Sequence, residues 1–600
     1  MALALFAGCA PAPRALAPQS VTAKDTHSSP FAHEESAAVA ASPNEMEVPV
    51  GGAARAELSK REVNPADPAP PAPAPRREEA KRASRVPVVG AAPKPLASTT
   101  PNAPSSSAPT APIPSAASEY NTEAYAAIQE NSFQSAKERP LSTFSVDVDT
   151  ASYSNARRFL AEGSLPPRDS IRVEEWVNYF GYSYAAPTGP QPFAVHTEVT
   201  DCPWDAQHRL VRIGIQGRDV PETQIPPRNL VFLVDVSGSM MSSDKLPLVQ
   251  RALALLTSSL RPQDSIAIAV YAGSSGLALP PTSGRDRSKI LRALEQLNAG
   301  GSTNGGEGIR LAYNVAREHF EAGGINRVIL ATDGDFNVGT TSEGELTRLI
   351  EEQRKTGIFL TVLGFGSGNL KDATMEMLAD KGNGNYAYID SLAEARKVLV
   401  REAGATLVTI AKDVKLQVEF NPARVAQYRL IGYENRALAD RDFNDDSKDA
   451  GEIGAGHSVT ALYEIVPFAA ASRPVPGVDP LKYQTTTALS PAARGDELMT
   501  VNIRYKEPNA DKSLKLTRTV TDSNTPLART HVDTRFSIAV AEAALLLRRG
   551  TLGSGSLKQV RELADQARGP DPHGDRREFV AMLDAAMKVQ RGVPAAQVAR

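Results

Sequence analysis

From Asn229 to residue 403 short apolar runs alternate with stretches of helical spacing, a pattern that few folds satisfy. "NLVFLVD" is followed by a predicted helix from Lys245 to Leu260, then "SIAIAVYA" (265–272), an edge segment at "GLALPP", and helices over 288–297 and from Gly305 to Phe320. "NRVILATDG" (326–334), a helix over 343–356, "IFLTVLGFG" (358–366), a helix over 371–380, "NYAYID" and a helix over 392–403 complete the series. An amphipathic helix must lay its apolar stripe on a neighbour, and a strand covered on both faces reads as a continuous apolar run. The alternation therefore predicts an α/β unit with a doubly wound, mainly parallel sheet and helices on both faces.

The first strand of the series ends abruptly. Leu230 to Met241 reads "LVFLVDVSGSMM", with a carboxylate and two hydroxyls directly after the apolar run. Open α/β sheets place ligand chemistry at the carboxyl ends of their strands, so this turn is the candidate site. Asp235-Val-Ser237-Gly-Ser239 resembles the Asp-x-Ser-x-Ser signature of the von Willebrand factor type A fold. The resemblance implies a metal-ion-dependent adhesion site that adds a threonine from a second loop and an aspartate from a third. Thr303 in "GGSTNGGEG", opening a helix, and Asp333 in "ILATDGD", ending a strand, stand in that order here.

The residue types suit a hard cation. Mg2+ takes oxygen ligands in near-octahedral geometry at about 2.0–2.1 Å and gives up water reluctantly. Ser237, Ser239 and Thr303 offer neutral oxygens, and Asp235 and Asp333 supply the only carboxylates. A dication held this way stays under-neutralised, with a position open to an outside Asp or Glu. The resemblance thus implies a module that joins a protein partner through Mg2+, or through Mn2+ or Ca2+, without breaking a bond. The plainer reading is a serine-rich turn with ordinary capping, or a metal-free relic of such a site.

Strands flank the α/β unit on both sides. "FAVHTEVT" (193–200) and "HRLVRIGIQG" (208–217) precede it, and "VKLQVEF" (414–420), "YRLIGYEN" (428–435), "SVTALYEIVP" (458–467) and "LMTVNIRYK" (498–506) follow. One β-sandwich split by an inserted domain explains this arrangement, because domain termini often lie close together. The expected organisation is an N-terminal helical module over 119–190, the first part of the β domain over 191–226, the type A unit over 227–410, the second β part over 411–510 and a C-terminal helical module over 511–600. In the first module "SEYNTEAYAAIQEN", "SYSNARRFLAEG" and "SIRVEEWVNYFGY" carry helical spacing, the last with Val173, Trp176, Val177 and Phe180 on one face, and Thr143 to Val148 reads as a strand. "PLSTFSVDVDTASYSNARRFL" with "RVEEWVNYF", and "LMTVNIRYKEP" with the helices after it, look like the end modules of a bacterial family of type A domain proteins often described as lipoproteins.

Ahead of these modules, residues 10–118 are rich in Ala, Pro and Ser and hold too little bulky apolar side chain to form a core, which predicts a disordered tether. Residues 1–9 end at Cys9 in "MALALFAGCA", similar to a lipoprotein lipobox in which Cys9 is acylated, although Phe6 stands where Leu is usual and no Lys or Arg comes before it. The expectation is a bacterial cell-envelope protein, periplasmic or surface-facing, tied to a membrane by its N-terminal lipid. Ala10 after the cysteine favours the outer membrane. A net charge of -3 gives no nucleic-acid footprint. Cys202 has no partner for a disulfide within the folded part.

Other motifs point elsewhere and are weaker. Asp147-Val-Asp149-Thr150 is similar to the loop of haloacid-dehalogenase-type phosphotransferases, but Ala151 breaks the pattern and no βαβ series follows; aspartates capping the next helix explain it better. "GFGSGN" (364–369) mimics a dinucleotide loop, yet Asn369 stands where its third glycine belongs, so no nucleotide is expected. Arg494-Gly495-Asp496 reads as a turn before a strand. The sequence therefore predicts no enzyme. The remaining alternative is an envelope scaffold whose metal site is purely structural.

Overall fold

The computed structural model describes residues 121–146, 149–334, 343–403, 407–470, 489–550, 552 and 554–592, all within one compact unit spanning Thr110–Arg600. Cys9, the tether and Asp147 lie outside the described residues.

The α/β unit is built on a six-stranded sheet in the order Tyr386–Ile389, Ile358–Phe365, Ile325–Thr332, Arg228–Asp235, Ser265–Tyr271, Ser275–Ser283. The first five run parallel, and the "GLALPP" edge strand is antiparallel to its neighbour. Arg228–Asp235 is central, and all eight of its residues are buried. Leu230, Phe232 and Val234 enter one core with the helices Leu246–Ser258 and Arg287–Glu295, while Val231 and Leu233 enter the other with Gly305–Glu318 and Asp372–Lys381. Two cores, one on each face, are why the strand reads as an unbroken apolar run. Gly308 brings the helix Gly305–Glu318 down onto the sheet: a Cβ there would stand 2.8 Å from Cβ of Tyr271. The last expected helix is split into a short α-helix, Leu392–Arg396, and a π-helical turn, Lys397–Arg401.

The β domain is a sandwich, and the α/β unit is inserted in it. One sheet runs Gln134–Ser135, Val425–Ile431, Ser458–Pro467, Arg209–Gly217, Phe193–Asp201, all antiparallel. Strands from before and after the insertion thus pair directly, Ile215 opposite Val459 and Val211 opposite Tyr463. In the other sheet Gly451–Gly454 and Leu141–Ser145 pair with successive parts of Thr409–Phe420, which continues to Glu497–Lys506 and Leu514–Thr521. Val211, Ile213, Tyr463, Val418, Val501 and Ile503 meet between the sheets.

The structure corrects four expectations. Residues 121–132 form no helix; Ala124 makes a parallel bridge to Lys371, so this segment is extended along the α/β unit. Within residues 119–190 the expected strand is found at Leu141–Ser145, but it and Gln134–Ser135 belong to the sandwich and not to a separate N-terminal module. Leu514–Thr521 carries the second β part beyond residue 510. The N- and C-terminal helices also share one core rather than forming two modules. Tyr153, Trp176 and Phe180 pack with Phe536 and Phe579 around the helix Val532–Leu547, thirteen of whose sixteen residues are buried, as the middle helix of a bundle requires.

Candidate metal centre

Asp235 closes the central strand, and its side chain turns back on the chain that follows. Its Oδ1 accepts from the Ser237 backbone N–H at 2.9 Å, a local Asx turn, and its Oδ2 accepts from the Thr332 hydroxyl at 3.4 Å. That turn brings Ser237 Oγ to 3.0 Å from Ser239 Oγ. Asp333, one residue past the adjacent strand, hydrogen-bonds with the Ser239 side chain and takes an ion pair from Lys245 Nζ at 3.0 Å. The loop carrying Thr303 is fastened to the same turn by Gly238 N–H to Gly301 O at 3.0 Å and Gly300 N–H to Val236 O at 2.7 Å.

Asp235, Ser237, Ser239 and Asp333 are therefore brought into one cluster at the carboxyl edge of the sheet. The Thr303 hydroxyl, half-buried, bonds to none of them, although its loop is in place. Both carboxylates are buried, so they belong to the top of the core and not to a loose surface loop, while Ser239 is exposed and Met241 beside it is 69% exposed. Burial, with the charge of Asp333 adding to it, pushes the Asp235 carboxyl up to about 6 against the pull of the Ser237 bonds. Burial works the same way on Asp333, but the Asn369 bond and the Lys245 ammonium outweigh it and hold that carboxyl below the usual range.

The donor set fits a hard divalent cation. Adjacent ligands at about 2.1 Å from an octahedral ion lie about 3.0 Å apart. The two serine oxygens already have that separation. Ser237, Ser239, Asp235 and Asp333 would hold such an ion, with Thr303 approaching from its loop.

Sequence reasoning missed two members of this cluster. Lys245 comes six residues after Ser239, and Asn369 is the last residue of "GFGSGN", which stands at this same edge of the sheet. Gly366 takes a φ of +71°, and a Cβ there would stand 2.3 Å from Cγ of Lys245.

A second acidic group was not foreseen. Carboxylate oxygens of Asp149, Glu175 and Glu376 lie within 4.8 Å of one another, and among the described residues no other set of three His, Cys, Asp or Glu side chains is so placed. Guanidinium groups permeate it. Arg172 pairs with Glu175, Asp372 and Glu376, and Arg436 pairs with Asp149 and Glu376, both at 3.0 Å, and with Asp380. Asp149 also accepts from the Tyr386 N–H at 2.6 Å. Thr150 is the N-cap of the helix Ala151–Ala161, and Glu175 Oε2 takes the Ser152 N–H of that helix's first turn at 2.8 Å. Pro491–Arg494 forms a 3-10 turn before the strand Glu497–Lys506, and Gly495 O accepts from Arg424, so Arg-Gly-Asp is part of a turn as expected. No helix among the described residues is long and apolar enough to cross a membrane.

A doubly wound sheet with Asp-x-Ser-x-Ser at the end of its central strand defines a von Willebrand factor type A domain protein, and the family model of that name matches residues 229–401. A model described as "von Willebrand factor" matches residues 119–212, and one described as "Uncharacterized protein YfbK, C-terminal" matches residues 405–589. The chain is 43% identical over 477 residues to the Uncharacterized protein YfbK of Escherichia coli (strain K12), covering 78% of this chain and 81% of that one. It belongs to the YfbK family of type A domain proteins. The Inter-alpha-trypsin inhibitor heavy chain H4 of Homo sapiens is 29% identical over 161 residues, 26% of this chain and 17% of its own. Among solved structures, the von Willebrand factor type A protein from Catenulispora acidiphila is similar at 15% identity, with a TM-score of 0.36 and coverage of 65% of this chain and 89% of that one.

Proposed function

We propose that the protein is a cell-envelope interaction module. It holds an Asp or Glu of a partner protein through one divalent cation, with Mg2+ the best match and Mn2+ or Ca2+ as alternatives, on Asp235, Ser237, Ser239, Thr303 and Asp333. The observation that carries this reading is the 3.0 Å separation of the Ser237 and Ser239 hydroxyls between two buried carboxylates, with Ser239 facing solvent.

A bound cation supplies a coordination position that an outside carboxylate can fill. The protein's own residues prepare that position. The Ser237 N–H and the Thr332 hydroxyl orient Asp235, and Asn369 and Lys245 orient Asp333. Three neutral hydroxyls leave charge for the partner to satisfy. The reading is of binding and not of catalysis.

The envelope location is part of the proposal and rests on "MALALFAGCA", with Cys9 acylated, the chain lipid-anchored and Ala10 favouring the outer membrane.

The scaffold reading asks the metal to lock the loops. Lys245 already neutralises Asp333, and backbone bonds already join the Val236–Gly238 and Gly300–Gly301 segments, so the loops have little need of such a lock. The test is retention of envelope proteins by the wild type in Mg2+ and in chelator, beside Asp235→Ala and Thr303→Ala, with melting followed by circular dichroism. Retention that depends on Mg2+ and on both side chains, with melting unchanged by chelation, supports the module. Retention indifferent to all three with a folded protein contradicts it, and a chelator-induced collapse of melting returns the scaffold.

A further inference from the structure

The ammonium of Lys245 occupies a seat made for it. Nζ lies 3.0 Å from Asp333 Oδ2 and 2.9 Å from Asn369 Oδ1, and the residue is 8% exposed. Gly366, at a φ of +71°, leaves the room its stem needs, since a Cβ there would stand 2.3 to 2.9 Å from Cγ, Cδ and Cε of Lys245. The loop bearing Asn369 is in turn stitched to the extended segment at the start of the described chain. Thr122 N–H donates to Gly368 O at 2.7 Å, Ala124 N–H to Leu370 O at 2.9 Å, and Gly368 N–H to Glu123 Oε1 at 2.8 Å. A buried lysine is expensive to desolvate and stays charged only where carboxylate and amide oxygens receive it.

We propose that Lys245 is a resident counter-cation of the metal centre, which neutralises Asp333 in the metal-free protein and sets divalent affinity by competing for that carboxylate. This inference rests on the metal reading of the site. The sign of its effect follows from charge alone. With Lys245 in its seat, the dication meets two carboxylates less one ammonium, and like charges a few ångströms apart in a partly buried site repel with little screening. Without the ammonium, Asp333 is a buried carboxylate in need of a cation, so the metal-free protein loses stability that metal restores. The consequence is a site that folds without metal and takes it up reversibly.

The experiment is titration of the full chain with Mn2+, followed by the paramagnetic resonance of the free ion, and with Mg2+ by calorimetry. Wild type, Lys245→Met and Lys245→Gln are compared, with thermal melting in chelator and in metal. Gln still offers N–H donors without charge, and so guards against a variant that fails to fold. Both variants are expected to bind metal about tenfold more tightly than wild type, or to bind where wild type shows nothing, and to regain in metal the melting temperature lost in chelator. Affinity equal to or weaker than wild type in a folded variant overturns the counter-cation while leaving the metal site standing. No uptake by wild type or by either variant overturns the metal reading and this inference together.

Discussion

At the candidate metal face, Asp235 and Asp333 stand among hydroxyls with the Lys245 ammonium beside them, and Ser239 and Met241 open to solvent. Where the same domain meets the N-terminal helices and the sandwich, Asp149, Glu175, Asp372, Glu376 and Asp380 surround Arg172 and Arg436. The second region holds more carboxylates, yet its oxygens are taken by guanidinium groups, by N–H donors from Ser152 and Tyr386, and by the Tyr386 hydroxyl. Density of negative charge does not make a cation site. The arginine-filled cluster joins three parts of the fold: Arg172 comes from beside the helix Val173–Asn178, Asp372 from the α/β unit and Arg436 from the β domain. One region ties three parts of the fold together, and the other leaves Ser239 exposed beside two buried carboxylates.

Breaking the arginine cluster should therefore have the largest effect on folding. Arg436→Met removes the guanidinium shared by Asp149, Glu376 and Asp380, and urea unfolding should show a loss of about 3–5 kcal/mol. Asp235→Ala should act in the opposite place: metal affinity falls by about 2–5 kcal/mol, roughly 30-fold to several-thousand-fold by calorimetry. Its unfolding free energy should change less than that of Arg436→Met, because the carboxyl it removes is itself raised by burial. The excess charge near the cluster gives a pH signature. Burial, with the charges of Glu434 and Glu175 adding, pushes Glu174 from its ordinary 4.5 up to about 7. The folded protein thus binds a proton that the unfolded chain has released, and the stability from this group is present below about pH 4.5 and lost as pH rises through about 7. Glu174→Gln should gain on the order of 2 kcal/mol over wild type on going from pH 4.5 to pH 8, and equal slopes of stability against pH would contradict this. Thr303→Ala removes a neutral donor and should weaken metal binding least, by about 1 kcal/mol, with melting unchanged.

The cluster of Asp235, Ser237, Ser239 and Asp333 was legible in the sequence because its parts are local or stand at element ends. Asp235, Ser237 and Ser239 fall within five residues, and Thr303 and Asp333 stand at element ends that the apolar periodicity marks. The cluster around Arg172 and Arg436 was not, since its members are scattered from residue 149 to residue 436 and only the completed fold assembles them. Among the elements, Arg228–Asp235 announces itself by eight buried residues, whereas Leu514–Thr521 is an edge strand with only Val520 buried, and its short alternation of Leu514, Leu516 and Val520, broken at Arg518, was passed over. Residues 121–132 have apolar side chains at helical spacing, but their backbone finds partners elsewhere: Ala124 N–H on Leu370 O and Ile128 N–H on Asp169. Tertiary hydrogen bonds override a weak local preference. Lys245 was passed over because a lysine beside two serines and an aspartate reads as surface, and only Gly366 and Asn369, more than a hundred residues away, bury it.

The contrast between the two acidic regions can be put to one direct measurement, an anomalous difference map from crystals of the protein grown in Mn2+. A single strong peak is expected at the carboxyl edge of the α/β sheet, bonded to Ser237 and Ser239 and within reach of Asp235, Thr303 and Asp333. A peak among Asp149, Glu175 and Glu376, or no peak at the serines, would contradict it.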